Sequence, residues 1–341
     1  MKENKNLPII FVVGNSRSGT TMMGRILGKH SLIFTFDELH FFGQLWSKED
    51  ENKNISKEDA KKLASKLLCI QRKGYFENCK YEEFENEGKI IVESIKSEKL
   101  TSLNVFKAFL FYETNLHNKK IPCDQTPRNV LYLEEILKNI PNAKIINMIR
   151  DPRDVLLSQK NKWKRKFLGA RNIPLKESIR SWINYHPITI SKLWNAAISA
   201  ADKFKNNPNV LTIYFENLIQ FPEENIRKIC EFLEIEFEES MLKVPQIGSS
   251  TGKDKPNVLG IDKNKAGSWR KGGISNTEIY LLQKISGNLM KKHGYKLEEI
   301  KPNKLKLIYF YITLPVKLIT AFILNLKRMK NIKENIKKRL T

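Results

Sequence analysis

The chain is short of acid. Only 37 Asp and Glu stand against 60 Lys and Arg, a formal net charge of +23. Such an imbalance points to an anionic partner. The basic residues do not fall into a recognition helix or an RNA-binding motif, so no nucleic acid is expected. Carboxylates form no cluster of the kind that holds a metal, and none is expected. Histidine is scarce, with five in all; His117, His186 and His293 stand alone, as structural or exposed histidines do. The four cysteines, Cys69, Cys79, Cys123 and Cys230, include no C-x-x-C pair. That excludes a metal site built from them and leads us to expect thiols in a reducing compartment. A long hydrophobic run is absent near the start: Ile9–Val13 is too short for a signal peptide and leads straight into a glycine loop. No N-terminal anchor is expected, and the protein is expected to be cytoplasmic. No internal repeat is visible.

What is present begins with IIFVVGNSRSGTTMMGRIL, residues 9–27. An apolar strand pattern ends at Gly14, a polar loop holds Arg17, Ser18 and Gly19, and a helical pattern starts at Thr20 and Thr21. Strand, glycine loop and helix N-terminus together bind phosphate, because free N–H groups and the helix dipole point at the loop. A nucleotide-hydrolysing P-loop would carry G-x-x-x-x-G-K-[ST]. Here the spacing from Gly14 to Gly19 is kept, but Thr20 holds the lysine position and the positive charge moves into the loop at Arg17.

With 341 residues, 41% of them hydrophobic, the chain can bury a substantial core. Strands are expected at Ile9–Val13, Ser31–Thr35, Lys144–Ile149 and Val210–Tyr214. Helices are expected over Thr20–Lys29, Ser56–Arg72, Thr126–Lys138, Asp154–Lys164, Leu175–Asn206 (broken at Pro187) and Pro222–Leu233. This alternation implies an α/β three-layer sandwich with a central parallel sheet flanked by helices. Asp50–Asn54 and Tyr81–Glu98 read as surface insertions. Ser249–Gly273, rich in Gly, Lys and Ser, reads as a functional loop. The basic run Lys160–Arg171 reads as a solvated helix face, or as a surface for an acidic glycan or lipid headgroups.

The organisation changes after residue 300. Residues 1–300 form the main domain and 301–341 a basic, apolar extension. From Lys291 onward fourteen Lys and Arg face three Glu, about half the excess charge of the chain. Leu307–Leu326 is nearly all apolar, with Pro315 and Lys317 near its middle. By length it could span a bilayer, but a central Lys and Pro oppose a clean span. Three readings stay open: a helix lying on an anionic membrane surface, packing on the domain or a second subunit, and a span. The first places the protein peripherally on the inner face of the membrane.

The motifs GNSRSGTTMM, IINMIRDPRDVLLSQ and LTIYFENLIQFPEENIRKICEFLEI, followed by a glycine–lysine loop ending GSWR, resemble in order and spacing the sulfotransferases that use 3′-phosphoadenosine 5′-phosphosulfate (PAPS). The nearest groups in pattern are bacterial and Golgi-type enzymes acting on carbohydrate or tyrosine hydroxyls. The resemblance covers most of residues 8–275 and implies a P-loop-like fold and no metal. It implies that Gly14, Ser18, Gly19, Thr20 and Thr21 hold the 5′-phosphate. Arg17 would stabilise the leaving bridge oxygen, and Arg150 and Ser158 would hold the 3′-phosphate. Lys263, Lys265, Trp269 and Arg270 would close over the adenosine. An attacking hydroxyl must lose its proton, so a base is needed. The Lys-Thr-His run of phenol and steroid sulfotransferases is replaced here by Gln125-Thr126-Pro127. Glu38, twenty-one residues beyond Arg17, matches the glutamate base of the tyrosine-sulfating pattern; Asp37 and His40 are its neighbours.

Two departures stand out. Gln125 occupies the place of a family lysine that helps the departing oxygen, so Arg17 or another cation must carry that role. Phe215 stands where a tyrosine is usual; Tyr214 beside it faces the other side of the strand. The expected function is sulfuryl transfer to a hydroxyl of a carbohydrate, a lipid-linked glycan or tyrosine. A P-loop nucleotide kinase, which would need the lysine that Thr20 replaces, and a non-catalytic membrane-associated nucleotide-binding protein are the alternatives.

Overall fold

A computed structural model describes residues 7–75, 80–170 and 173–340. Cys79, Arg171 and the first six residues of the N-terminal segment lie outside the described residues.

Along Ile9–Gly14 (β1), Ile9, Phe11 and Val13 enter one core and Ile10 and Val12 another. This is the two-residue period of a strand buried on both faces. Ile33–Phe36 (β2), Ile121–Asp124 (β3), Ala143–Ile149 (β4) and Val210–Tyr214 (β5) join it in the order β2-β3-β1-β4-β5. Every pairing is parallel. The helices are Thr20–Gly28 (α1), Lys57–Lys73 (α2), Glu85–Glu93 (α3), Ser102–Leu116 (α4), Leu133–Asn139 (α5), Pro152–Lys160 (α6), Leu175–Ile183 (α7), Pro187–Asp202 (α8), Phe215–Gln220 (α9), Pro222–Leu233 (α10) and Asn276–Lys292 (α11). Helices α2 and α4 cover one face of the sheet, α1 and α10 the other. The expected α/β sandwich is therefore the observed one.

Register positions the site. Phe36 and Phe11 lie beside Asp124, Gly14 beside Met148, and Ile149 beside Tyr214. The carboxyl ends of all five strands thus line one edge, where open α/β sheets bind ligands. Glu38, Gln125, Arg17, Arg150 and Phe215 each follow one of these ends.

Several expectations are corrected. Strand β3 was not anticipated: it has four residues and a proline, Pro122, at its second position, and proline weakens a strand signal. Helix α4 was not anticipated either. Tyr81–Glu98 is not a detached insertion, since Phe84 and Ile91 enter the core beside α2. Lys255–Leu259 pairs antiparallel with Pro245–Gln246, and short 3-10 turns at Lys263–Lys265 and Ser268–Lys271 follow, so the late loop is partly ordered. The expectation of free thiols fails at Cys69, which is disulfide-bonded; Cys123 and Cys230 are free and buried. A disulfide removes the argument for a reducing compartment.

The extension forms Lys304–Asn325 (α12) and Ile332–Leu340 (α13). Helix α12 has no buried residue and is long and apolar enough to cross a membrane. Helix α13 packs on the domain: Asn335 donates to the Gly43 carbonyl (3.2 Å), and Lys338 donates to the Leu131 carbonyl and pairs with Glu135 (2.6 Å).

Candidate active site

The cradle is built by backbone shape. Gly14 has φ 142°, and a Cβ there would stand 2.3 Å from the Met148 carbonyl oxygen of the neighbouring strand. Gly19 has φ 92°, and its Cβ would strike the Phe215 ring at 2.4 Å. Neither position admits a side chain without displacing sheet or ring. Gly19 caps α1 without a side-chain hydrogen bond, and the first turn holds no acid. The helix start is left to attract an anion.

Arg17 is aimed by its acceptors. Its Nε donates to Ser158 Oγ (3.0 Å), and its Nη2 donates to the Gly248 carbonyl (2.8 Å) and Ser250 Oγ (2.7 Å). Burial, with Arg165 and Arg150 nearby, lowers its pKa to about 10. Arg150 donates to the carbonyls of Arg17 (3.3 Å) and Lys265 (2.8 Å) and makes a loose pair with Asp154 (3.8 Å). Its guanidinium lies 4.2 Å over the Phe215 ring. One ring therefore supports both Gly19 and Arg150, which gives Phe215 a role that needs no hydroxyl. Tyr214 faces away and bonds His293 (3.1 Å).

Two buried polar atoms, Ser18 Oγ and Arg150 Nε, lack a hydrogen-bond partner among the described residues. Buried donors without partners are costly, and both would be satisfied by a phosphorylated ligand. The residues present thus fit a nucleotide carrying more than one anionic group.

Glu38 stands at the other side of the cradle, half-exposed, with His40 Nε2 at 3.3 Å from its Oε2. Partial desolvation raises its pKa, against the pull of Lys162, Arg128 and Arg17. Burial, with Arg128, Lys162, Arg328 and Arg180 nearby, lowers His40 to about 3, so His40 is neutral at ordinary pH. The segment is pinned from β3: Thr126 Oγ1 accepts from the Leu39 N–H (3.1 Å) and donates to Asp124 (2.6 Å), which also accepts from Asn129 (2.9 Å).

The fold thus brings Gly14, Arg17, Ser18, Gly19, Thr20, Ser158 and Arg150 to one cradle, with Glu38 within electrostatic reach of Arg17. Ser158 bonds Arg17 rather than Arg150. The late loop contributes differently from expectation. Trp269 is buried, its ring between Arg153 (4.2 Å) and Arg270 (4.3 Å), while Arg270 pairs with Glu298. Among the described residues, Lys263, Trp269 and Arg270 make no bond to Arg17, Arg150 or Ser158; the Lys265 carbonyl does.

Sequence reasoning missed five contributors. Ser250 and the Gly248 carbonyl reach the cradle from the late loop. Arg128, exposed on the turn after β3, is lowered to about 10 by desolvation against the protein. Lys162 lies in the basic run read first as a solvated face, yet burial lowers it to about 8 while Glu38 pulls it up. Arg165, from the same run, pairs with Asp254 (2.9 Å). The available signal was spacing: Lys162 follows Ser158 by one helical turn.

A glycine-bent loop at the carboxyl edge of a parallel sheet, opening a helix and flanked by arginines, defines an α/β phosphate-binding protein of the P-loop kind. Within that class the chain belongs to the sulfotransferase family, matched over residues 8–239. It is 27% identical over 260 residues to protein-tyrosine sulfotransferase A of Caenorhabditis elegans, covering 74% of this chain and 55% of that protein. A putative protein-tyrosine sulfotransferase of the same organism is 30% identical over 140 residues, 40% of this chain and 49% of that protein. The chain spans about half the length of these curated relatives. Among solved structures, the sulfotransferase domain of the Synechococcus PCC 7002 olefin synthase shares the fold at TM-score 0.51 and 19% identity, covering 87% of this chain and 99% of that one.

Proposed function

We propose that this chain transfers a sulfuryl group from PAPS to the hydroxyl of an acceptor, and that its extension meets an anionic membrane surface. The observation that carries the transfer reading is the convergence, at one sheet edge, of an open helix N-terminus, Arg17 and Arg150 with a carboxylate set among cations. When bound, the donor supplies the activated sulfur and leaves as adenosine 3′,5′-bisphosphate. The acceptor oxygen forms its bond to sulfur as the bond from sulfur to the phosphate bridge oxygen breaks.

Glu38 takes the acceptor proton, and partial desolvation makes it a stronger base than a free glutamate. Arg17, held by three acceptors, presents charge where the bridge oxygen becomes anionic. Gly19, Thr20 and Thr21 bind the 5′-phosphate at the start of α1, and Arg150 binds the 3′-phosphate from its shelf on Phe215. Lys162 supplies the cation that Gln125 does not.

The test separates binding from transfer. Glu38→Gln should lower kcat by about a hundredfold or more, the range of one well-placed base. Affinity for adenosine 3′,5′-bisphosphate, measured by calorimetry, should stay within a few-fold of the parent. Turnover of labelled donor on glycan or tyrosine-peptide acceptors by Glu38→Gln at the parent rate would remove Glu38 as base. Absence of nucleotide binding by the parent protein would remove the function itself.

A further inference from the structure

Helix α12 is inside out. Three polar contacts tie it to the domain: the Phe310 carbonyl meets His186 Nε2 (3.0 Å), Lys317 Nζ lies 4.4 Å over the Trp182 ring, and Asn325 accepts from Arg180 (2.6 Å). Positions 310, 317 and 325 form one stripe of a helix. The opposite stripe, Leu305, Ile308, Ile312, Val316, Ile319 and Ile323, is 54–78% exposed. Lys317, the central charge that counts against a membrane segment, is thereby turned toward the protein.

The neighbouring helix repeats the pattern. Helix α7 exposes Leu175, Ile179 and Trp182, at 57%, 51% and 58%, again one helical stripe. Two adjacent elements therefore present apolar side chains outward. Lys304 and Lys306 are exposed at the start of α12, and Lys333 and Lys337 on α13. Because polar contacts tie α12 to the domain from its first half to its last residue, it lies along the protein rather than projecting from it. Apolar residues within a basic frame complement an anionic bilayer surface.

The same elements reach the acceptor side of the site. Just past α12, Arg328 pairs with Glu177 of α7 and stands 5.3 Å over the Tyr75 ring. Tyr75 lies 4.6 Å from the His40 ring, and His40 meets Glu38. The general base is thus three contacts from the end of the apolar helix.

We infer that the outward face of α7 and α12 seats the protein on an anionic bilayer with Glu38 at the edge of the contact, so that the acceptor is a hydroxyl on the headgroup of a membrane lipid. This rests on the sulfuryl-transfer reading. Soluble peptide or glycan hydroxyls are the competing acceptors.

The experiment uses the full chain, PAPS labelled in its sulfate, and vesicles of phosphatidylcholine and phosphatidylglycerol carrying a glucosyl diacylglycerol. The protein should float with these vesicles and not with phosphatidylcholine alone, and label should enter the lipid phase. Ile312→Asn combined with Ile319→Asn changes only exposed positions. It should cut flotation and lipid labelling at least about tenfold, since two isoleucines leave the membrane contact, while adenosine 3′,5′-bisphosphate affinity is unchanged. Flotation that ignores lipid charge or survives both substitutions overturns the inference, as would be found for a spanning helix. Labelling of soluble peptides or glycans in preference to vesicles overturns it while leaving sulfuryl transfer standing. Failure to bind the nucleotide product overturns the transfer reading instead.

Discussion

At the scale of single residues, the informative position is Gln125. It lies on the buried floor of the site, and its Oε1 has no partner among the described residues. On the proposed sulfuryl-transfer reading, a neutral amide there leaves the departing oxygen one cation short. Lys162 stands within electrostatic range of Glu38 and Arg17, one turn beyond the serine that holds Arg17. Its pKa of about 8 makes the substitution testable by pH. Charge on Lys162 is present below about pH 8 and lost above it, so kcat should fall along an alkaline limb centred there. In Lys162→Arg the limb should move upward, because guanidinium stays charged. In Lys162→Ala, kcat should drop on the order of tenfold to a hundredfold, with little change in nucleotide affinity. An unmoved limb in Lys162→Arg would reassign the lost charge to another group.

At the scale of elements, the segment after β2 is positioned by the turn after β3. Asp124 accepts from Thr126 and Asn129, and Thr126 holds the backbone beside Glu38. Burial raises Asp124 to about 7, above its unfolded value near 3.8. A carboxyl raised on folding binds more protons in the folded state between those values. Its stabilising contribution is therefore full below about pH 4 and is lost as pH rises to about 7. Relative to Asp124→Asn, the parent should lose up to about 4 kcal/mol of unfolding free energy across that window. Urea titrations at pH 4.5 and 7.5 measure this, and an equal difference at both pH values would contradict it. The network also marks what was legible beforehand. Helix α1, β1, β4 and β5 announce themselves by long apolar periods, and Arg17, Arg150 and Glu38 by their place after strands. β3 is four residues with a proline, and its Asp124–Thr126–Leu39 link joins residues far apart in sequence, so neither leaves a periodic trace. Lys162 carried a misleading signal: a run of lysines looks solvated until a fold turns one of them inward.

At the scale of the molecule, a net charge of +23 has two parts with different consequences. The exposed lysines of the extension form a diffuse field that any salt screens over about 10 Å at 0.1 M. The cations around the cradle, Arg17, Arg150, Arg128 and Lys162, are different, because each has its pKa lowered, desolvation being the largest cause. Crowded, partly desolvated cations are relieved further by an anion that binds among them. Sodium chloride and 1 mM adenosine 3′,5′-bisphosphate at matched ionic strength should therefore act unequally on Tm. Screening is common to both, and the nucleotide adds site binding of about 2.7 kcal/mol when present at about a hundred times its Kd, a rise of several degrees for a chain of this size. Adenosine 5′-monophosphate, which lacks the 3′-phosphate, should give a smaller rise. On the proposed reading, in which Arg150 holds the 3′-phosphate, Arg150→Ala should reduce the response to the bisphosphate to that of the monophosphate. Equal shifts from both nucleotides in the parent protein would mean that the cradle reads one phosphate and that the second anion site, on which the choice of donor depends, is absent.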